Sequence, residues 1–307
     1  MLNKITISEV GPRDGLQNCR GVMPTDMKAR WITALYEAGV REIEVGSFVP
    51  PKLFPQLADT AEMVAHAKTL PGLRVLALVP NLRGAQAAIA AGVDAMGFPL
   101  SVSETHSKKN LRQTHDQAVQ NVRQIAALIA TQPKDQRPSF EGALSTAFGC
   151  SIEGVISEET VLRLAERLIE AGVDELGLSD TVGYANPVQV KRLIRRTREV
   201  AGADKVKSVH LHNSYGQGLA NAFAAWEEGI ETFDSSLGGL GGCPSSPGAS
   251  GNIVTEDLVQ MFHAMGVETG INMNKLIACR RFLEEGLPGE PLYGFTPNAG
   301  IPKHMVA

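Results

Sequence analysis

Between residues 5 and 264 the chain alternates between two hydrophobic rhythms. Short runs rich in Val, Ile and Leu, several alternating apolar and polar, give way to stretches whose apolar residues recur three and four apart. Strands are predicted at residues 5–10, 41–45, 73–79, 94–100, 139–148, 174–178, 206–212 and 230–235. Helices are predicted at 25–38, 58–68, 84–91, 114–130, 157–171, 187–200, 218–228 and 255–264. Thr25 and Ser157 read as helix caps, and Pro187 suits a first helical turn. Three predicted helices close on one phrase, Glu37-Ala38-Gly39-Val40, Ala90-Ala91-Gly92-Val93 and Glu170-Ala171-Gly172-Val173. Each puts glycine where a left-handed stop is needed and then enters a strand.

Eight strand–helix units in strict alternation is the count of a (β/α)8 TIM barrel. A doubly wound open sheet is the competing architecture, but its first strand would normally run into a glycine-rich phosphate turn. Here that turn is Gly11-Pro12-Arg13-Asp14-Gly15, which carries charge instead. No linker or low-complexity segment divides the chain. The expected organisation is a barrel over residues 1–273, with a Pro- and Gly-bearing helical extension over 274–307 packed on it.

Composition narrows the classes. With 43% hydrophobic residues there is ample apolar sequence for a core, which excludes a disordered chain. Twenty-nine Lys and Arg against 33 Asp and Glu leave a net charge of −4 with no basic patch, so neither nucleic acid nor a membrane is expected as a partner. Cys19, Cys150, Cys243 and Cys279 form no paired motif, which argues against a zinc ribbon or a disulfide framework. No apolar run reaches the length of a membrane span, and no signal core is seen, so a cytoplasmic location is the expectation.

Barrel enzymes work at the C-terminal ends of their strands. The polar residues there are Arg13, Asp14 and Gln17 after the first strand, Glu44 and Ser47 at the second, and Asp180 and Thr181 at the sixth. His210, His212 and Asn213 close the seventh strand, and Ser235 the eighth. Residues two apart in a strand share a face, so His210 and His212 project together into the mouth. Two imidazoles and a carboxylate suit a divalent transition ion. Asp14 is the natural third ligand, because first and seventh strands lie close in a closed barrel; the competing reading is two ordinary core histidines. Arg13 is either half of a surface ion pair or a permanent cation for an enolate oxygen. Glu44, in an apolar strand, needs a partner, and Arg13 can be it. The glycine-rich segment 238–252 reads as an active-site loop, with Cys243 as a candidate proton donor or nucleophile; the other cysteines read as small hydrophobes.

Gly11-Pro12-Arg13-Asp14-Gly15-Leu16-Gln17-Asn18, Ser47-Phe48-Val49 with Pro51-Lys52, Lys108-Lys109-Asn110, Phe148-Gly149-Cys150 and Gly241-Gly242-Cys243-Pro244 through Gly251-Asn252 closely resemble the hydroxymethylglutaryl-CoA lyase family, over about residues 4–280. The resemblance implies a metal-dependent carbon–carbon lyase of the oxo-acid-lyase class on a TIM barrel, acting on an acyl-CoA, and a homo-oligomer. It implies Mg²⁺ or Mn²⁺ on Asp14, His210, His212 and Asn252, with Glu44 supporting the site. It further implies Arg13 on the thioester carbonyl, Asp14 or His210 moving the hydroxyl proton, and Cys243 moving a later one. Gln17, Ser47 and Asp180 would face substrate, and Lys108 and Lys109 would meet CoA phosphates or only solvent.

Departures from the family pattern surround the expected acyl pocket. Asn213 stands where Asp is usual, Gly46 where Thr is, and Gly177 where a substrate-facing Ser is. Citramalyl-CoA or a longer 3-hydroxyglutaryl-CoA therefore stands beside 3-hydroxy-3-methylglutaryl-CoA as substrate. A Claisen-type synthase and a non-enzymatic binding barrel are the other classes open to such a chain.

Overall fold

The computed structural model describes residues 2–241 and 251–303. In chain order it forms β1 (Thr6–Glu9), α1 (Thr25–Glu37), β2 (Glu42–Ser47), α2 (Thr60–Ala67), β3 (Arg74–Leu78), α3 (Leu82–Ala91) and β4 (Ala95–Ser101). There follow α4 (Glu104–Asn110), α5 (His115–Ala130), β5 (Ser139–Ser145), α6 (Glu158–Ala171), β6 (Glu175–Asp180), α7 (Pro187–Ala201) and β7 (Val206–Leu211). The chain continues through α8 (Gly218–Glu227), β8 (Thr232–Ser235), α9 (Thr255–Ala264), α10 (Met273–Ala278), α11 (Arg280–Gly286) and α12 (Thr296–Ala299). The eight strands close into one barrel, β1 through β8 in sequence order. β1 completes the ring by parallel pairing with β8, Thr6 opposite Thr232 and Glu9 opposite Ser235.

The expected barrel is therefore the observed one, with three local differences. α4, a short polar helix between β4 and α5, lacks an apolar stripe long enough to announce it. Thr25 opens α1 but does not cap it, and Ser157 stands at the N-cap of α6 without a side-chain cap bond. Thr114, by contrast, forms a full capping box with Gln117. The third difference is a β-bulge in β2 between Glu44 and Gly46.

Alternation sorts the strand residues. One face packs on the helices and holds the core, with Ile43, Val75, Phe98, Phe140, Leu176 and Phe233 buried against residues such as Trp31, Leu168 and Phe262. The other face is polar. At its floor Arg74 of β3 reaches Glu42 of β2 at 2.6 Å, Ser139 of β5 at 2.6 Å and Glu175 of β6 at 3.4 Å, contacts that can only cross the lumen. Apolar side chains take the dry side, and charged ones pair inside the barrel because an unpaired buried charge is costly.

The C-terminal segment packs on this frame. α10 and α11 lie against α1, Arg280 pairs at 2.6 Å with the fully buried Glu256 of α9, and Asp257 accepts the Thr296 N–H at 2.7 Å.

Candidate active site

β1 ends on Glu9, whose buried carboxyl accepts the N–H of Gly11 at 3.0 Å, the N–H of Leu237 at 2.9 Å and the hydroxyl of Thr255 at 2.7 Å. Burial, only partly offset by these donors, pushes its pKa up to about 8. The next residues, Gly11–Gly15, wind into one π-helical turn, in which the N–H groups of Arg13, Asp14 and Gly15 converge on the carbonyl of Val10. Such turns are rare and cluster at functional sites. Glycine at 11 is a close-approach requirement, because a Cβ there would lie 2.4 Å from Glu9 Oε1. The turn aims Arg13 and Asp14 over the barrel mouth.

Arg13 is held between two carboxylates, Nε on Glu44 Oε2 at 2.5 Å and Nη1 on Asp14 Oδ1 at 2.5 Å. These two anions overcome burial and raise its pKa further, so it is a permanent cation. Burial would raise the Asp14 carboxyl, but Arg13 beside it, the two imidazoles and the Asn252 amide hold it well below the usual range. For Glu44 burial wins, and its pKa lies above the ordinary value in spite of Arg13.

His210 and His212 do project together, with Nε2 atoms 3.1 Å apart. The ligand atoms of Asp14, His210 and His212 all lie within 4.8 Å of one another, a group able to hold a metal ion. His210 Nδ1 donates to Asp234 at 3.0 Å, which leaves its Nε2 lone pair toward the group. Burial and the neighbouring His210 lower the pKa of His212 to about 3, so its ring is neutral and can ligate. Asn252 gives its amide hydrogens to Asp14 Oδ2 at 2.7 Å and to the carbonyl of Leu240 at 3.1 Å. Its buried Oδ1 has no hydrogen-bond partner, an arrangement that costs free energy unless something accepts the lone pairs. A cation would accept those lone pairs, and two imidazoles, a carboxylate and an amide oxygen are a fitting donor set.

Ser47 is buried at the end of β2, its Oγ without a partner, while Gln17 lies partly exposed just after the π turn. Asp180 does not present a free carboxylate, since it accepts the N–H groups of Tyr184 at 2.9 Å and Ala185 at 3.0 Å and so shapes the loop after β6. Lys108 and Lys109 stand exposed in the last turn of α4, with Lys108 near Glu104 at 3.3 Å. Gly46 does not line the acyl pocket as expected. The β2 bulge turns it toward α2, where a Cβ would lie 2.4 Å from Thr60 Oγ1. Gly177 does face the lumen. Cys243 lies outside the described residues, and Cys19, Cys150 and Cys279 are free and buried.

Asp234 is the functional residue the sequence reading missed. Ser235, the residue expected from the eighth strand, turns away from the lumen to meet Thr255 at 2.9 Å. Alternation carried the signal, because His210 sits opposite Asp234 in the β7–β8 register.

The model of a family described as HMGL-like matches residues 4–283. The hydroxymethylglutaryl-CoA lyase YngG of Bacillus subtilis is 39% identical over 289 residues, 94% of this chain and 95% of that protein. The mitochondrial hydroxymethylglutaryl-CoA lyase of Arabidopsis thaliana is 39% identical over 94% of this chain, which spans only 60% of that relative's length. Among solved structures, an HMG-CoA lyase of Acinetobacter baumannii in complex with coenzyme A and 3-methylmalate superposes with a TM-score of 0.90. It is 39% identical, over 98% of this chain and 96% of that one.

Proposed function

Because the chain belongs to the HMGL-like family, we propose that it cleaves 3-hydroxy-3-methylglutaryl-CoA to acetyl-CoA and acetoacetate with a divalent metal, Mg²⁺ or Mn²⁺. The observation that carries this reading is the convergence of Arg13, Asp14, His210, His212 and the unpartnered Asn252 oxygen at one barrel mouth. Asp14, His210, His212 and Asn252 would hold the ion, which would polarise the substrate's tertiary hydroxyl and lower its pKa.

Asp14, or His210 through a water, takes the hydroxyl proton. Asp234 fixes the His210 ring and offsets any charge it gains, since burial opposes protonation there but the Asp234 bond and Asp14 favour it. As the C2–C3 bond breaks, its electron pair moves onto the thioester carbonyl. Arg13, preorganised by Glu44 and Asp14, stabilises the enolate oxygen that forms. Cys243 is proposed to supply the proton that completes acetyl-CoA. Gln17, Ser47, Lys108 and Lys109 are proposed substrate contacts, Asp180 acting through the loop it shapes.

The test is to follow acetyl-CoA and acetoacetate from purified protein given the thioester, before and after exhaustive chelation. Both products should appear, vanish on chelation and return with Mg²⁺ or Mn²⁺. Full activity in the chelated protein would remove the ion from the reading. A cytoplasmic homo-oligomer completes the proposal, and sedimentation of the purified protein would reveal a monomer if that part is wrong. No described helix is long and apolar enough to cross a membrane.

A further inference from the structure

Below the ion site the lumen has open room beside β4, where nothing lies within 4 Å of a Cβ built on Gly97. On β3 and β5 the lumen-facing positions keep some accessible surface while the helix-facing ones are buried. The residues on the β4–β6 side of this space are small, whereas Leu76 and Leu78 of β3 bound it on the other. Gly97 of β4 faces it with nothing within 4 Å of where a Cβ would be, and Ala143 of β5 lies opposite Gly177 of β6. The carboxyl of Glu141 takes the room a side chain at Gly177 would need, its Oε1 lying 2.5 Å from that Cβ position. Ser208 donates to the other oxygen of Glu141 at 3.2 Å. Ser208 precedes His210 by two residues on β7, so the space opens directly beneath the ion site.

Glu141 also differs in charge from the other lumen carboxyls. Glu42 and Glu175 share Arg74, Glu44 has Arg13 and Asp234 has His210. Among the described residues Glu141 has no basic partner. Burial, then Asp234 and Glu175, raise its pKa well above the ordinary carboxyl value. A neutral acid both donates and accepts a hydrogen bond, whereas the carboxylates around it repel an anion. The carboxylate of a glutaryl chain is therefore kept at the mouth, and the substituent at C3 points down the lumen.

Resting on the lyase reading above, we infer that Gly97, Ala143 and Gly177 wall a pocket for the C3 substituent, floored by Glu141 and Ser208, so that the enzyme takes 3-hydroxyglutaryl-CoA thioesters whose C3 substituent is longer than methyl and ends in an uncharged hydroxyl. The chemistry is unchanged. The hydroxyl proton leaves, the C2–C3 electron pair goes to C2 and is protonated as acetyl-CoA, and C3 becomes the ketone of the corresponding 3-oxo acid. No further reactant is needed.

The experiment compares kcat/KM for acetyl-CoA release from thioesters bearing methyl, butyl or 3-hydroxypropyl at C3, the last two being near-isosteric. The hydroxypropyl thioester should equal or exceed the methyl one and exceed butyl by about tenfold, because butyl leaves Glu141 and Ser208 unpaired. Glu141→Leu should erase the hydroxypropyl-over-butyl ratio. Gly97→Val, which narrows the pocket from β4 while keeping the Glu141 carboxyl, should lower both long thioesters relative to methyl, and it decides the matter should Glu141→Leu not fold. A hydroxypropyl value below that of methyl, or ratios unmoved by these substitutions, overturns the pocket while leaving the lyase intact. Absence of acetyl-CoA from all three thioesters overturns both.

Discussion

Arg13 bonds Glu44 through Nε and Asp14 through Nη1, so its guanidinium is a fork fixed before substrate arrives. A lysine has one point charge and cannot hold both carboxylates while facing an enolate. Arg13→Lys should lower kcat by about a hundredfold or more with little change in KM, because the charge it meets develops only as the bond breaks. Steady-state kinetics would show a raised KM at normal kcat if Arg13 merely anchors substrate. His212 makes a separable prediction. Its neutral ring is proposed as a metal ligand and lies outside the apolar core, so His212→Ala should lose Mn²⁺ affinity by calorimetry while its unfolding temperature stays near that of the parent. Undiminished Mn²⁺ binding would take His212 out of the ligand set.

At the scale of elements, the three glycine stops show how one sequence phrase meets three environments. Gly92 has φ 83° with open space where a Cβ would go, so Gly92→Ala should cost only the left-handed strain, about 1 kcal/mol. Gly39 has φ 105° and its Cβ would lie 2.2 Å from the carbonyl oxygen of Gly270, so Gly39→Ala should cost about 3 kcal/mol or more. Gly172 falls between, its Cβ position being 2.9 Å from that of Ala126. Urea unfolding of the three variants ranks them, and equal losses would mean that strain alone sets the cost. The phrase is plain in the sequence. What each glycine faces is contributed by distant segments, and periodicity carries no trace of it.

The whole molecule joins its two ends through Glu9. Its carboxyl ties the π turn, the start of the glycine segment and the first turn of α9. The folded state keeps the Glu9 proton up to a pH of about 8, whereas an unfolded chain releases it near 4.5. The folded protein thus binds more protons between those values, and the stability gained there is lost as pH rises through the window. A glutamine can replace the protonated acid, so Glu9→Gln should flatten the decline by up to about 1.4 kcal/mol per pH unit. Denaturation midpoints from pH 5 to 8 would run parallel in the two proteins if Glu9 does not titrate there.

Local pattern was enough for the eightfold alternation, the glycine stops, the shared face of His210 and His212, and the pairing of Arg13 with Glu44. Each depends on residues near in sequence or on the closure that eight parallel strands impose. The tertiary structure alone decided the rest. A one-residue bulge in β2 took Gly46 out of the acyl pocket, and the β7–β8 register chose Asp234 rather than Ser235 as the partner of His210. Asp180 was claimed by backbone N–H groups of its own loop. The open room before Gly97 depends on neighbours from other strands that stay more than 4 Å from its Cβ position. A side chain's face follows from the period of its strand, but register shifts and cross-barrel neighbours are set by packing between segments, and no single stretch of sequence records them.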